Sequence, residues 1–422
     1  MAFPLCAPET LRLQGCPAFP FSGIPRCHPG NARWRILSNH LIEISFIEHC
    51  RRRTSTNAQI AFPAPLPIVR AAAPAKDDMH TAPITTLDSI MAEMPAWGTE
   101  FARTYANHAP MVLVALDRIG GSGERLRDFF EHYRDYKQLF PAAPTLAPIT
   151  RDTWQATIGQ REREPDLRVF FTAEVEALGI DDALRTYLPT LAPYVGTSAL
   201  HALMRTAYGL IRRDPVEIAI ALAYWTALAF DMPRSTGAAP LTDNPAEVLV
   251  RVAGIEVMHH LPLHELLWQN MREAGRTPQF APVIDWLAIT PETPAKLAAA
   301  SIALFAATQD FCALHAVTGM HWMRLVLPYC TTPDVMLRHF WQCVAALMGE
   351  MRFPVLPDAA TLEAWRHLPV PDWAEIKAAA ALSYDEHDIS LVFSASEEMQ
   401  IYGDPLYQLA AARRVGLVRA YA

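Results

Sequence analysis

From Thr86 onward the chain is written almost entirely in strong helix formers. Long stretches rich in Ala, Leu, Met and Trp are cut at intervals by Pro and Gly, and runs of β-branched residues are nearly missing. That pattern predicts an all-α body, a single large helical domain over residues 79–422. A first helix carries Pro110 in its opening turn, where the missing backbone donor costs little, and stops at Gly120-Gly121-Ser122-Gly123. Thr197 and Ser198 are placed to cap a helix that runs through Arg212, and Asp214-Pro215 opens an antiparallel partner reaching Phe230. Residues 293–327 are long for one globular helix, so a break is expected near Thr308-Gln309-Asp310.

Residues 1–78 do not share this pattern. They are Pro-rich, sparse in acids, carry Arg51-Arg52-Arg53, and show neither a helical nor an alternating period. They read as a disordered or overextended N-terminal segment, with Met79 or Met91 as the initiator, because an apolar core and small-residue cleavage site of a secretory signal are not evident.

Histidines set inside apolar helical runs carry the chemistry: His108 in Asn107-His108-Ala109-Pro110-Met111, His201 in Leu200-His201-Ala202-Leu203, His315 in Leu314-His315-Ala316-Val317, and His387 in Asp385-Glu386-His387-Asp388. Burying a polar group without a partner costs roughly 2–7 kcal/mol, so four such insertions imply either separately bonded core histidines or one shared polar centre. On the helix from Leu200, the residues His201, Arg205 and Tyr208 recur at i, i+4 and i+7 and share a stripe; the plain alternative is an Arg205 salt bridge and a His201 bonded to a carbonyl. His387, Ser390 and Ser394 share a face in the same way, whereas His321 points about a third of a turn from His315. His260 and His264 have metal-binding spacing, but Pro262 intrudes and surface or core histidines explain them adequately.

Other classes of function are set aside on the same residues. The formal net charge is −8 with basic residues scattered, which is not the footprint of a nucleic-acid partner. No uninterrupted apolar stretch of roughly 18 residues marks a membrane span. Seven cysteines without a Cys-x-x-Cys pair fit reduced thiols and a cytoplasmic protein. The glycines at 120–123 follow a helix and lack the dinucleotide and phosphate-loop spacings, and there is no Gly-x-Ser-x-Gly elbow, so flavin on a doubly wound sheet and ordinary serine hydrolysis are not expected.

At the four histidine segments, together with Ala221-Leu222-Ala223-Tyr224-Trp225 and Gly403-Asp404-Pro405, the chain resembles the questin oxidase-like family over most of residues 100–415. The resemblance implies a helical oxidoreductase, since fungal members carry out Baeyer–Villiger-type oxygen insertion or ring opening on anthraquinones with NADPH. Side chains alone do not perform one-electron oxygen chemistry, so the resemblance implies a non-haem iron (Fe2+) held by His108, His201, His315 and His387, with dioxygen and a small aromatic substrate as partners. Arg205 and Tyr208 are then the catalytic candidates that orient substrate or stabilise an oxyanion, and His321 is a reserve ligand. Relatives often carry a lysine one turn after the last histidine, where this chain has Ser390. The alternative is therefore a non-catalytic helical ligand-binding protein that keeps the fold without the metal, and after it a zinc hydrolase in the same pocket.

Overall fold

The computed structural model describes residues 85–419, and the reading of residues 1–78 lies outside them. Among the described residues there are 17 α-helices, several short 3-10 turns and no strand, in agreement with the all-α composition. None of these helices is long and apolar enough to cross a membrane.

Four helices position the site: α1 (Ala109–Arg118), α2 (His201–Arg212), α3 (Phe311–Val326) and α4 (Glu386–Tyr402). They pack in a closed ring, α1 on α2, α2 on α3, α3 on α4 and α4 back on α1. Helices hidden on every side must be apolar all round, and α2 is the clearest case, with His201 through Leu210 all buried. The helices Pro215–Ala227 and Thr293–Thr308 pack on the outside of the ring, and Glu164–Leu178 packs in turn on Pro215–Ala227. Gly319 on α3 is a packing residue, since a Cβ there would stand 2.7 Å from Phe340 Cε2 and 3.0 Å from Leu200 Cδ1.

The expected break near Thr308 occurs at Gln309, whose φ is +52°, and Asp310 then caps α3 by accepting from the Cys312 amide at 2.7 Å. Asp214 caps Pro215–Ala227 as its Asp-Pro signature indicated. The cap assigned to Thr197 and Ser198 is corrected. The helix starts at His201 without a side-chain cap, while Thr197 donates to the Tyr194 carbonyl and Ser198 Oγ accepts from Tyr224 Oη at 2.7 Å. Ser198, Ala199 and Leu200 all adopt left-handed backbone, with φ of 47°, 55° and 72°, a conformation that costs roughly 1–2 kcal/mol per non-glycine residue. Strain of this kind persists only where the surroundings impose it, and here it sets the direction in which His201 leaves the chain.

Candidate metal centre

Each of the four ring helices brings a histidine to the same end. His108 is the N-cap of α1, His201 opens α2, His315 lies in the first turns of α3 and His387 is the second residue of α4. Four helix N-termini therefore converge, and the four helices run in one direction from them. The imidazoles form a ring in the same order: centroids are 4.4 Å apart for His108 and His201, 5.7 Å for His201 and His315, 5.8 Å for His315 and His387, and 5.2 Å for His387 and His108. The four residues singled out as ligands are brought together.

The second ring nitrogen of each histidine explains how they are aimed. His108 Nδ1 donates to the Ala106 carbonyl at 2.8 Å, His315 Nδ1 to the Phe311 carbonyl at 2.8 Å, and His201 Nδ1 to the Ser198 carbonyl presented by the left-handed turn. His387 Nδ1 donates to Asp385 Oδ1 at 3.0 Å. Carbonyl and carboxylate oxygens only accept, so each ring carries a proton on Nδ1, and in its neutral form each leaves Nε2 with a lone pair. This is how metal-ligating imidazoles are held by their outer partners. His108 Nε2 and His201 Nε2 then face each other at 2.7 Å, two acceptors with no proton between them unless one ring becomes a cation.

Protonation is opposed. Burial holds the pKa values of His108, His201 and His315 well below the ordinary histidine value, and the neighbouring imidazoles push in the same direction. Convergent helix N-termini add positive potential against an imidazolium. A metal cation would relieve the two facing lone pairs, and the donor set fits one: nitrogen ligands suited to iron, each with its proton on Nδ1.

Carboxylates stand near but are already engaged. Asp385, Glu386 and His387 each bring one ligand atom within 4.8 Å of the others. Asp385 accepts from the His387 amide, from His387 Nδ1 and from Arg414, and Glu386 is paired with Lys137 Nζ at 2.9 Å. Burial works to raise the Asp385 pKa, but the hydrogen bonds from His387 and the charge of Arg414 outweigh it and hold the carboxyl ionised. Asp385 is thus an anchor for His387. His387 is the least enclosed of the four, and Phe311, 44% exposed, stands edge-on to both His315 and His387 at 4.7 and 4.8 Å.

The two non-histidine candidates do not join the quartet. Arg205 forms a buried two-pronged pair with Glu217, at 2.8 and 3.1 Å, which is the salt bridge weighed against a catalytic role. Tyr208 lies seven residues along α2, about 10 Å down the helix from His201. His321 is held by Glu398 through Nδ1 at 2.8 Å and is not in the quartet. His259 bonds the Ala253 carbonyl, His260 pairs with Glu256 at the surface, and His264 reaches Glu273 only at 4.0 Å, so that second group is scattered. Sequence reasoning missed Phe311, although it lies one turn before His315, and Tyr133, whose hydroxyl accepts from the His108 amide at 3.0 Å. It also gave Asp385 no part in the site, where the spacing Asp-x-His held the anchor.

No curated protein matches the chain. The family model described as questin oxidase-like matches residues 105–394, a span that contains all four histidines and well over half of the chain. With this match laid over the quartet, the chain belongs to the questin oxidase-like family, a family named for an oxidase.

Proposed function

We propose that His108, His201, His315 and His387 hold one non-haem iron and that the protein is an oxygenase. Its reaction is oxygen insertion into, or ring opening of, an aromatic polycyclic ketone such as an anthraquinone, with dioxygen as co-substrate and NADPH as reductant. The observation that carries this reading is the ring of four imidazoles, each with an acceptor on its own Nδ1 that leaves Nε2 as the ligand atom. Bound there, iron(II) supplies the one-electron chemistry by which dioxygen is activated.

The chain's own residues shape what such a centre accepts. Neutral imidazoles add no negative charge, and four helix N-termini meet the site, so it favours an anionic ligand such as an enolate or phenolate oxygen of the substrate. Phe311 offers an exposed aromatic wall against which a flat ring can stack beside His315 and His387. The Lys137–Glu386 pair lies close enough to act on His108 and His201 electrostatically, and places a cation near the same rim. Arg205 is assigned to positioning: its ion pair ties α2 to Pro215–Ala227 and commits Nε and Nη2 to Glu217.

Metal analysis tests the proposal. Protein reconstituted anaerobically with iron(II) and desalted is expected to retain close to one iron per chain, and His201→Ala to retain almost none. Wild-type protein that folds and yet keeps no iron, or that takes zinc and refuses iron, contradicts it.

A further inference from the structure

Buried polar atoms without partners are rare, because each is expensive to desolvate. Eleven occur among the described residues, and seven of them lie on three helices of the ring: Tyr208 Oη and, at the far end of the helix beside Asp214, Arg212 Nε on α2; His321 Nε2 and Trp322 Nε1 on α3; and Ser390 Oγ, Ser394 Oγ and Glu398 Oε2 on α4. Four of them continue the histidine stripes. Ser390 and Ser394 follow His387 at i+3 and i+7, Trp322 follows His315 at i+7, and Tyr208 follows His201 at i+7. These spacings turn each side chain toward the axis that the quartet closes at its other end.

The groups also meet one another. Burial pushes the Tyr208 hydroxyl up to about 12, and Ser390, Ser394 and Trp322 surround it closely enough to counter part of that rise. These are long, imperfect contacts, and none of the four reaches full hydrogen-bond geometry with another. The serines are unusual in this. Thr206, Thr226, Thr318 and Ser396 all donate to a carbonyl of their own helix, whereas Ser390 and Ser394 leave that bond unmade.

At the far end of the same axis is a cleft of about 200 Å³ lined by Arg118, Ile211, His321, Leu325, Phe393 and Glu397, which come from all four ring helices. Phe393 touches both Tyr208 and His321, with ring centroids at 5.9 and 5.4 Å. His321 has Nδ1 bound to Glu398, itself held by Arg324 at 2.8 Å, so only Nε2 remains. Quartet, hydroxyl cluster and cleft therefore lie in sequence along one axis.

We propose that this axis is a hydrated proton path connecting the quartet to bulk water through the cleft at His321. The inference rests on the oxygenase reading, since reduction of dioxygen consumes protons. Water is the ligand: the indole N–H of Trp322 can only donate and does not reach Tyr208 Oη at full bond geometry, so a water between them would complete both, while each hydroxyl donates on one side and accepts on the other. One proton leaves cleft water, each hydroxyl passes its own proton inward and takes another from outside, and one proton is delivered beside Ser390. No group keeps a net charge.

Solvent exchange of the Trp322 indole proton, followed by NMR on ¹⁵N-tryptophan-labelled full-length protein, tests the path. Trp225 and Trp341 are equally buried internal standards whose indoles donate to carbonyls at 2.9 and 3.0 Å. The Trp322 signal is expected to exchange at least tenfold faster than these two, and Ser394→Val, which fills the axis, to remove that difference. Ser390→Ala serves as a second, milder variant that widens the path and preserves fast exchange. A Trp322 proton as protected as the standards in the wild type overturns the proposal, as does fast exchange that Ser394→Val leaves unchanged. Iron content, measured on the same samples, reads the quartet separately: loss of iron in the wild type defeats the oxygenase reading, and slow indole exchange beside full iron defeats only the path.

Discussion

Two facing lone pairs at 2.7 Å, His108 Nε2 and His201 Nε2, make the residue-scale case for a cation, and the acceptors on Nδ1 make it testable. Asp385→Ala removes the anchor of His387 while leaving all four imidazoles in place. Iron affinity is expected to fall about 10–100-fold, the usual effect of losing an outer partner, and titration of iron(II) against a competing chelator measures it. Unchanged affinity would mean that His387 is not a ligand. Arg205 gives a second test. As half of a buried pair, its replacement by Met strands Glu217, and a loss of roughly 3–5 kcal/mol in urea denaturation is expected, whereas Arg205→Met with Glu217→Leu recovers most of it. A catalytic Arg205 would instead leave stability near wild type in the single variant. The four histidines were legible because imidazole is out of place in an apolar helix, but the partner of Arg205 was not. Glu217 lies on the next helix, and only the packing of Pro215–Ala227 against α2 brings the two together.

At the scale of elements, periodicity and breakers revealed the helices of the ring and the break at Gln309, since these depend on local residue type. The start of α2 depends on something else. Ser198, Ala199 and Leu200 carry no glycine to announce left-handed backbone, and ordinary capping preference pointed to the wrong residue. Glu164–Leu178 and Ile180–Leu191 went unseen as well, because Pro165 and Pro189 look like loop punctuation although one lies in a first turn and the other is tolerated inside its helix. Two substitutions probe this layer by chemical denaturation. Ala199→Gly releases left-handed strain of roughly 1–2 kcal/mol, partly offset by the flexibility it gives the unfolded chain, so a net gain of a few tenths to 1 kcal/mol is expected. Gly319→Ala drives a methyl into Phe340 and Leu200 and is expected to cost about 1–3 kcal/mol, with weakened iron binding because Leu200 immediately precedes His201.

For the whole molecule, the same burial that readies the imidazoles for a metal makes the metal-free protein sensitive to acid. Burial, helped by neighbouring rings, holds His108, His201 and His315 well below 6.5, and burial lowers His339 to about 4. The unfolded chain takes up these protons near 6.5 and the folded chain does not, so below that value the unfolded state binds more protons. Stability therefore declines as pH falls from 6.5 toward about 4, by up to ~1.4 kcal/mol per pH unit for each group. Thermal unfolding of chelator-treated protein across this window should show a falling Tm, and His201→Gln should flatten part of the slope; a constant Tm would place the imidazoles in solvent. The central claim, four imidazoles around one iron, is tested most directly by X-ray absorption at the iron edge of the reconstituted protein. The account predicts a shell of nitrogen and oxygen alone with the multiple scattering of four imidazoles, and a shell with one imidazole or none would contradict it.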